Sequence, residues 1–261
     1  MSRSKNRGPI RLNPTARQHY LNVSRRPLQI LAFLMPLIIA YEIALPWLVV
    51  PSGKNVTAHQ TLLQFFHAFG IAPASVLFLG GIAIVVVLLV WHLLNCDPWS
   101  VDYAAVGLMW VESLALTVPL LVLGQLMTHA TSPAWSITVL AQQAAGDATL
   151  AGLSLPSKLA LSVGAGLYEE LLFRMMLIAI LHTLLVDVGR ASHGVGATVA
   201  VLVSAAAFTL YHQRHAWPEV TFFFLAGVYF GAIYVVRGFG IVVGVHALYD
   251  IITVSLLSSS N

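Results

Sequence analysis

Residues 168–174 read Tyr168-Glu169-Glu170-Leu171-Leu172-Phe173-Arg174 inside a hydrophobic run. Ionisable groups within a membrane are costly and mark function by default. On a helix, Glu170 and Arg174 are four residues apart, about 40° around the axis, and can pair on one face. Glu169 is turned about 100° from Glu170 and about 140° from Arg174. That splits the roles: Glu170 is neutralised and held by Arg174, and Glu169 is left to titrate, as a general base or acid must. An ion pair that only locks helix packing is the alternative, but packing needs one carboxylate and not two.

Two further runs carry histidines at helical spacing. Phe208-Thr209-Leu210-Tyr211-His212 puts Phe208 and His212 on one face, and His246-Ala247-Leu248-Tyr249-Asp250 does the same for His246 and Asp250. A His/Asp pair at this spacing can chelate a metal, orient the imidazole through the carboxylate, or present both groups to a substrate carbonyl. It can also be a satisfied buried polar pair. Taken together, Glu169, His212, His246 and Asp250 are a candidate base, proton partner and carbonyl stabiliser drawn from separate helices. They can meet near mid-depth.

The elements that must position them follow from composition. Of 261 residues, 58% are hydrophobic and 9% charged, and the mean hydropathy is +0.84. A soluble domain carries about 25% charged residues, so a soluble enzyme and a nucleic-acid-binding domain are both excluded. The apolar residues come in long runs and not in the period-two alternation of an outer-membrane barrel. The fold expected is all-α, a polytopic transmembrane helical bundle of about 7–8 TM helices.

Spans of about 20 apolar residues read as Leu28–Val50, Ala74–Cys96, Ala104–Met127, Lys158–Val186, Gly196–His212, Thr221–Val236 and Phe239–Leu257. Ala134–Leu150, with Gln142, Gln143 and Asp147, reads as interfacial or re-entrant; if it spans, there are eight crossings. Three regions result: a basic arm over 1–27, N-terminal membrane helices over 28–157, and a catalytic core over 158–257. Seven of the thirteen Lys/Arg precede the first span, which predicts a cytoplasmic N-terminus. Cys96 is the single cysteine, so no intrachain disulfide forms.

Other polar residues rank lower. Glu42 and Glu112 could line a cavity or be packing residues, with packing favoured. His92 and His182 read as structural, and His215 as interfacial. Phe222-Phe223-Phe224 reads as lipid contact, and Gly227 and Gly231 as close helix packing.

The runs Glu169-Glu170-x-x-x-Arg174, Phe208-x-x-x-His212 and His246-x-x-x-Asp250, in this order on successive helices, resemble the CPBP family of CAAX-type and bacteriocin-processing (Abi-type) intramembrane proteases. The resemblance covers about residues 158–257. It implies an intramembrane endopeptidase acting on a membrane-associated or lipidated substrate, in the cytoplasmic membrane of a prokaryote. Glu169 would activate water with help from His212, and His246 with Asp250 would stabilise the oxyanion. Glu170, Arg174 and Phe208 support them.

Both metal-free and metal-dependent mechanisms are proposed for the family, so the cofactor is either none or a divalent metal such as zinc, held by Glu169, His212, His246 and Asp250. Prenyl-protease members carry Asn where this chain has Asp250. An ionised Asp cannot donate to an oxyanion. A non-catalytic scaffold or immunity protein is the main rival, and a proton-coupled transporter the lesser one, since no inverted repeat is evident.

Overall fold

The computed structural model describes residues 15–53, 56–68, 70, 78–131, 153–212 and 216–258, and these are helical with no strand among them. Nine rods follow in order: α1 (Ala16–Val23), α2 (Pro27–Ala44, extended as π and 3-10 turns to Ser52), α3 (Thr57–Ala68), α4 (Leu79–Asn95) and α5 (Tyr103–Thr131). Then come α6 (Leu155–Glu170, continued to Val188), α7 (His193–Tyr211), α8 (Trp217–Arg237) and α9 (Phe239–Ser258). Six of them, α2 and α5 to α9, are long and apolar enough to cross a membrane. The expected second span is the shorter α4, whose 17 residues rise about 25 Å. Ala134–Leu150 and His215 lie outside the described residues.

Aromatic side chains mark both ends of the bundle. Trp47 and Trp217 are exposed at one end, Trp99 and Tyr103 at the other, where amphipathic rings sit at the headgroup level. Between them α5 turns Val111, Leu114 and Val118 outward.

Polar contacts fix which ends coincide. Gln29, at the start of α2, donates to the Asp102 carbonyl at 2.5 Å and accepts from the Asp102 N–H at 3.0 Å. Arg26 pairs with Asp97 at 3.7 Å. Arg237 grips Glu112 through two hydrogen bonds of 2.5 and 2.7 Å and reaches Ser24 at 3.1 Å. At the opposite end the Ser157 hydroxyl donates to the Leu48 carbonyl at 3.4 Å. The N-terminal arm, the α4–α5 connection and the α8–α9 turn therefore share one end; α5 finishes and α6 begins at the other. Arg237 is a buried partner of Glu112, because the α8–α9 turn is one residue long. That residue, Gly238, has φ +90°, a backbone state that only glycine adopts without strain.

The core lies along α6 and α9, the most extensively packed pair. A Cβ on Gly166 would stand 2.8 Å from the Ala247 backbone nitrogen, so the glycine is what lets the two backbones approach. Gly227 of α8 meets the Ala205 backbone of α7 in the same way, and Gly231 makes room for the Val201 side chain, the close packing expected. From Leu171 to Ile178 α6 widens to π-helical geometry. The Ser204 hydroxyl of α7 donates to the Phe173 carbonyl there at 2.8 Å, satisfying backbone that the altered ladder frees.

Candidate active site

Glu169 and Glu170 end the regular part of α6, and both are buried. Glu170 Oε1 lies 3.0 Å from Arg174 Nη1, the pairing expected from the spacing. The same oxygen lies 2.7 Å from His246 Nδ1. Glu170 therefore holds two groups, and the second is a histidine from α9. Arg174 is fully buried. Its guanidinium lies 4.3 Å from the centre of the Phe208 ring and 5.2 Å from that of Phe230, and Nη2 donates to the Gly227 carbonyl at 3.4 Å. Aromatic faces replace some of the lost hydration of the cation.

Glu169 points where its 100° offset directs it. Its Oε2 lies 3.6 Å from His212 Nε2 and 3.9 Å from His246 Nε2. His212 follows the last residue of α7, and its Nδ1 donates to the Phe208 carbonyl at 2.7 Å. The last carbonyls of a helix have no partner within it, so the four-residue spacing lets the ring cap its own helix. With the proton on Nδ1, Nε2 is left as an acceptor facing Glu169.

His246 has its two nitrogens in different company. Nδ1 faces Glu170, whereas Nε2 faces Glu169 and, at 3.5 Å, Asp250 Oδ2. The carboxylate behind the ring is thus Glu170. Asp250 sits on the working side.

Two site-forming side chains come from a run that reads as lipid-facing. Phe222 and Phe223 are buried. Phe223 stacks on His212 with centroids 4.3 Å apart, and Phe230 stacks on His246 at 4.6 Å. Hydropathy rates a phenylalanine alike in lipid and in a helix interface. The glycines on the same helix do mark its buried face: residues 223, 227 and 230 recur at helical spacing. Tyr249 was also missed, although it sits within the third motif.

Phe208, His212, Phe222, Phe223, Phe230, His246, Tyr249 and Asp250 contribute to the wall of a recess of about 20 Å³, room for one water. Asp250 Oδ2 and the Tyr249 hydroxyl are buried without a hydrogen bond among the described residues. They are the groups a bound water or substrate amide would meet.

The other candidates lie elsewhere. Glu42 accepts from the Tyr168 hydroxyl at 3.1 Å, and Glu112 serves Arg237 and the Tyr20 hydroxyl. His92 packs edge-on against Trp99 at 4.4 Å, and His182 stacks on His193 at 5.5 Å. Among the described residues no three His, Cys, Asp or Glu side chains are arranged to hold a metal ion. Glu169, His212, His246 and Asp250 are the residues that would hold a divalent metal, and no step below runs through one.

Residues 151–252 match the family model described as type II CAAX prenyl endopeptidase, Rce1-like. No curated protein and no solved structure matches the chain. The three motifs fall inside the matched segment. Residues 151–252 of this integral membrane protein are thus similar to Rce1-like endopeptidases, which is consistent with the resemblance to the CPBP family carried by the three motifs.

Proposed function

We propose that the chain is an intramembrane endopeptidase that hydrolyses a peptide bond of a membrane-associated or lipid-modified substrate, using Glu169 and His212 to activate water. The observation that carries this reading is the convergence of Glu169 Oε2 on the Nε2 atoms of His212 and His246, beside a recess the size of one water.

Glu169 takes a proton from the water as its oxygen attacks the scissile carbonyl. His212, its tautomer fixed by the Phe208 carbonyl, accepts from the same water and orients it. The tetrahedral oxyanion is met by Nε2–H of His246, whose ring Glu170 holds from behind. Asp250, as the neutral acid, is a second donor. The proton on Glu169 then passes to the leaving amine.

The N-terminus is cytoplasmic. Among the described residues Arg17, Arg25, Arg26 and Arg190 lie at the end of the bundle that holds the N-terminal arm, and Lys158 lies at the other.

The test compares peptide termini in membranes from cells carrying wild type or Glu169→Gln at equal expression. New termini found only with wild type are expected and would identify the substrate. Identical termini, together with no cleavage of a farnesylated CAAX peptide by purified protein in nanodiscs, would sink the reading.

A further inference from the structure

A second buried polar cluster lies outside the catalytic group and mostly outside the Rce1-like segment. Glu42 Oε1 accepts from the Tyr168 hydroxyl at 3.1 Å and from the Gly81 N–H at 3.0 Å. His59 lies flat on the Tyr168 ring, centroids 4.6 Å apart at 11°, and its Nδ1 is 2.9 Å from the Tyr41 hydroxyl. Tyr41 meets the Tyr168 ring edge-on at 5.3 Å. We propose that this cluster is a rotational clamp on α6, with Tyr168 and Glu42 as positioning residues that set where the Glu169 carboxylate stands. The inference rests on the reading of Glu169 as the base.

Three glycines make the room. A Cβ on Gly80 would stand 2.6 Å from the Tyr168 ring, one on Gly81 would fall on the Glu42 carboxylate, and one on Gly164 would fall on the Tyr41 ring. Helices α2, α3, α4 and α6 thus each give up or contribute a position to hold one side chain. That side chain immediately precedes Glu169. Consecutive side chains leave a helix about 100° apart, so fixing Tyr168 towards α2 and α4 directs Glu169 towards α7 and α9. A carboxylate about 6 Å from the helix axis moves about 1 Å for a roll of about 10°. A misplacement of about 1 Å can lower a rate about a hundredfold. The catalytic segment and the N-terminal helices are joined at this point.

The test uses the full chain in nanodiscs with ring-nitrogen-labelled histidine. The resonances of His212 and His246, assigned by their loss in His212→Gln and His246→Gln, report the contacts with Glu169 without any substrate. Tyr168→Phe and Glu42→Ala are expected to shift both. Glu42→Gln, which keeps the accepting oxygen, and Leu88→Ala, which removes buried packing from α4 two turns away, are expected to shift neither. With an internally quenched farnesylated CAAX peptide, the first two variants lower kcat about tenfold and leave KM unchanged. Resonances that stay put in Tyr168→Phe and Glu42→Ala, or move as far in Leu88→Ala, overturn the clamp, as does an unchanged kcat. If wild type leaves the peptide intact, the resonances alone decide the clamp, and proteolysis is the reading that fails.

Discussion

His246 Nδ1 and Glu170 Oε1 are 2.7 Å apart, so the second carboxylate of the Glu-Glu pair backs a histidine from another helix. An amide at position 170 can still accept this hydrogen bond but stabilises a charged imidazole poorly. Glu170→Gln is expected to lower kcat by about 10²-fold to 10⁴-fold with little change in KM. Steady-state kinetics on a cleavable peptide checks it; a matching rise in KM would instead mean that substrate binding is disturbed.

Arg174 is fully buried between the Glu170 carboxylate and the Phe208 and Phe230 rings. Removing one member of a buried pair leaves the other charge uncompensated. Arg174→Met is expected to destabilise the fold by about 3–5 kcal/mol, and Arg174→Lys to rescue little, because an ammonium is compact and strongly hydrated. Unfolding in a denaturant titration in mixed micelles gives the number.

Asp250 shares the Nε2 side of His246 with Glu169. If it acts as a hydrogen-bond donor, Asn replaces it. Asp250→Asn should keep activity within about threefold of wild type, whereas Asp250→Ala should lose most of it. Equal losses in both variants would mean that the position needs an ionised carboxylate and not a donor.

Outside the spans, Asp102 caps α5 by accepting from the Ala105 N–H at 3.0 Å, and it lies 3.4 Å from His19. The Ala105 N–H above all, with help from His19, holds the carboxyl below its ordinary value, against a smaller opposing effect of desolvation. A lowered carboxylate stabilises the folded form above the unfolded value, about 3.9, and loses that contribution as pH falls through the lower folded value. The cap on α5 should therefore be level from neutral pH down to about pH 4 and weaken below it. Amide hydrogen exchange in the first turn of α5 follows this, and Asp102→Asn should remove the step.

The candidate site residues were legible because each motif is local. A spacing of four on a helix fixes a shared face, so Glu170 with Arg174, Phe208 with His212 and His246 with Asp250 could be paired before any fold was known. The 100° offset of Glu169 likewise gave its direction. Partners from distant segments were not legible. Nothing in the sequence ties Arg237 to Glu112, 125 residues away, or Tyr168 to Glu42, 126 away. Periodicity also cannot say which apolar face meets lipid, which is why Phe222 and Phe223 read as outward. The division of labour at His246 was missed for the same reason: Asp250 is near in sequence and Glu170 is not.

The buried Glu170–Arg174–His246 group bears on how the protein enters the membrane. Residues 169, 170 and 174 lie in one span, and an isolated charge near the centre of a nascent helix disfavours insertion by about 2.5–3.5 kcal/mol. Glu170 finds Arg174 within its own helix, but the group is completed only by His246, which is synthesised 76 residues after Glu170. At about 5–20 residues per second this is a wait of roughly 4–15 s. Through that interval α6 must stay sheltered at the insertion machinery or against the helices already in place. Integration of the C-terminal half is thereby cooperative, and a chain ended after Arg237 should leave α6 extractable by alkaline carbonate where the full chain is not.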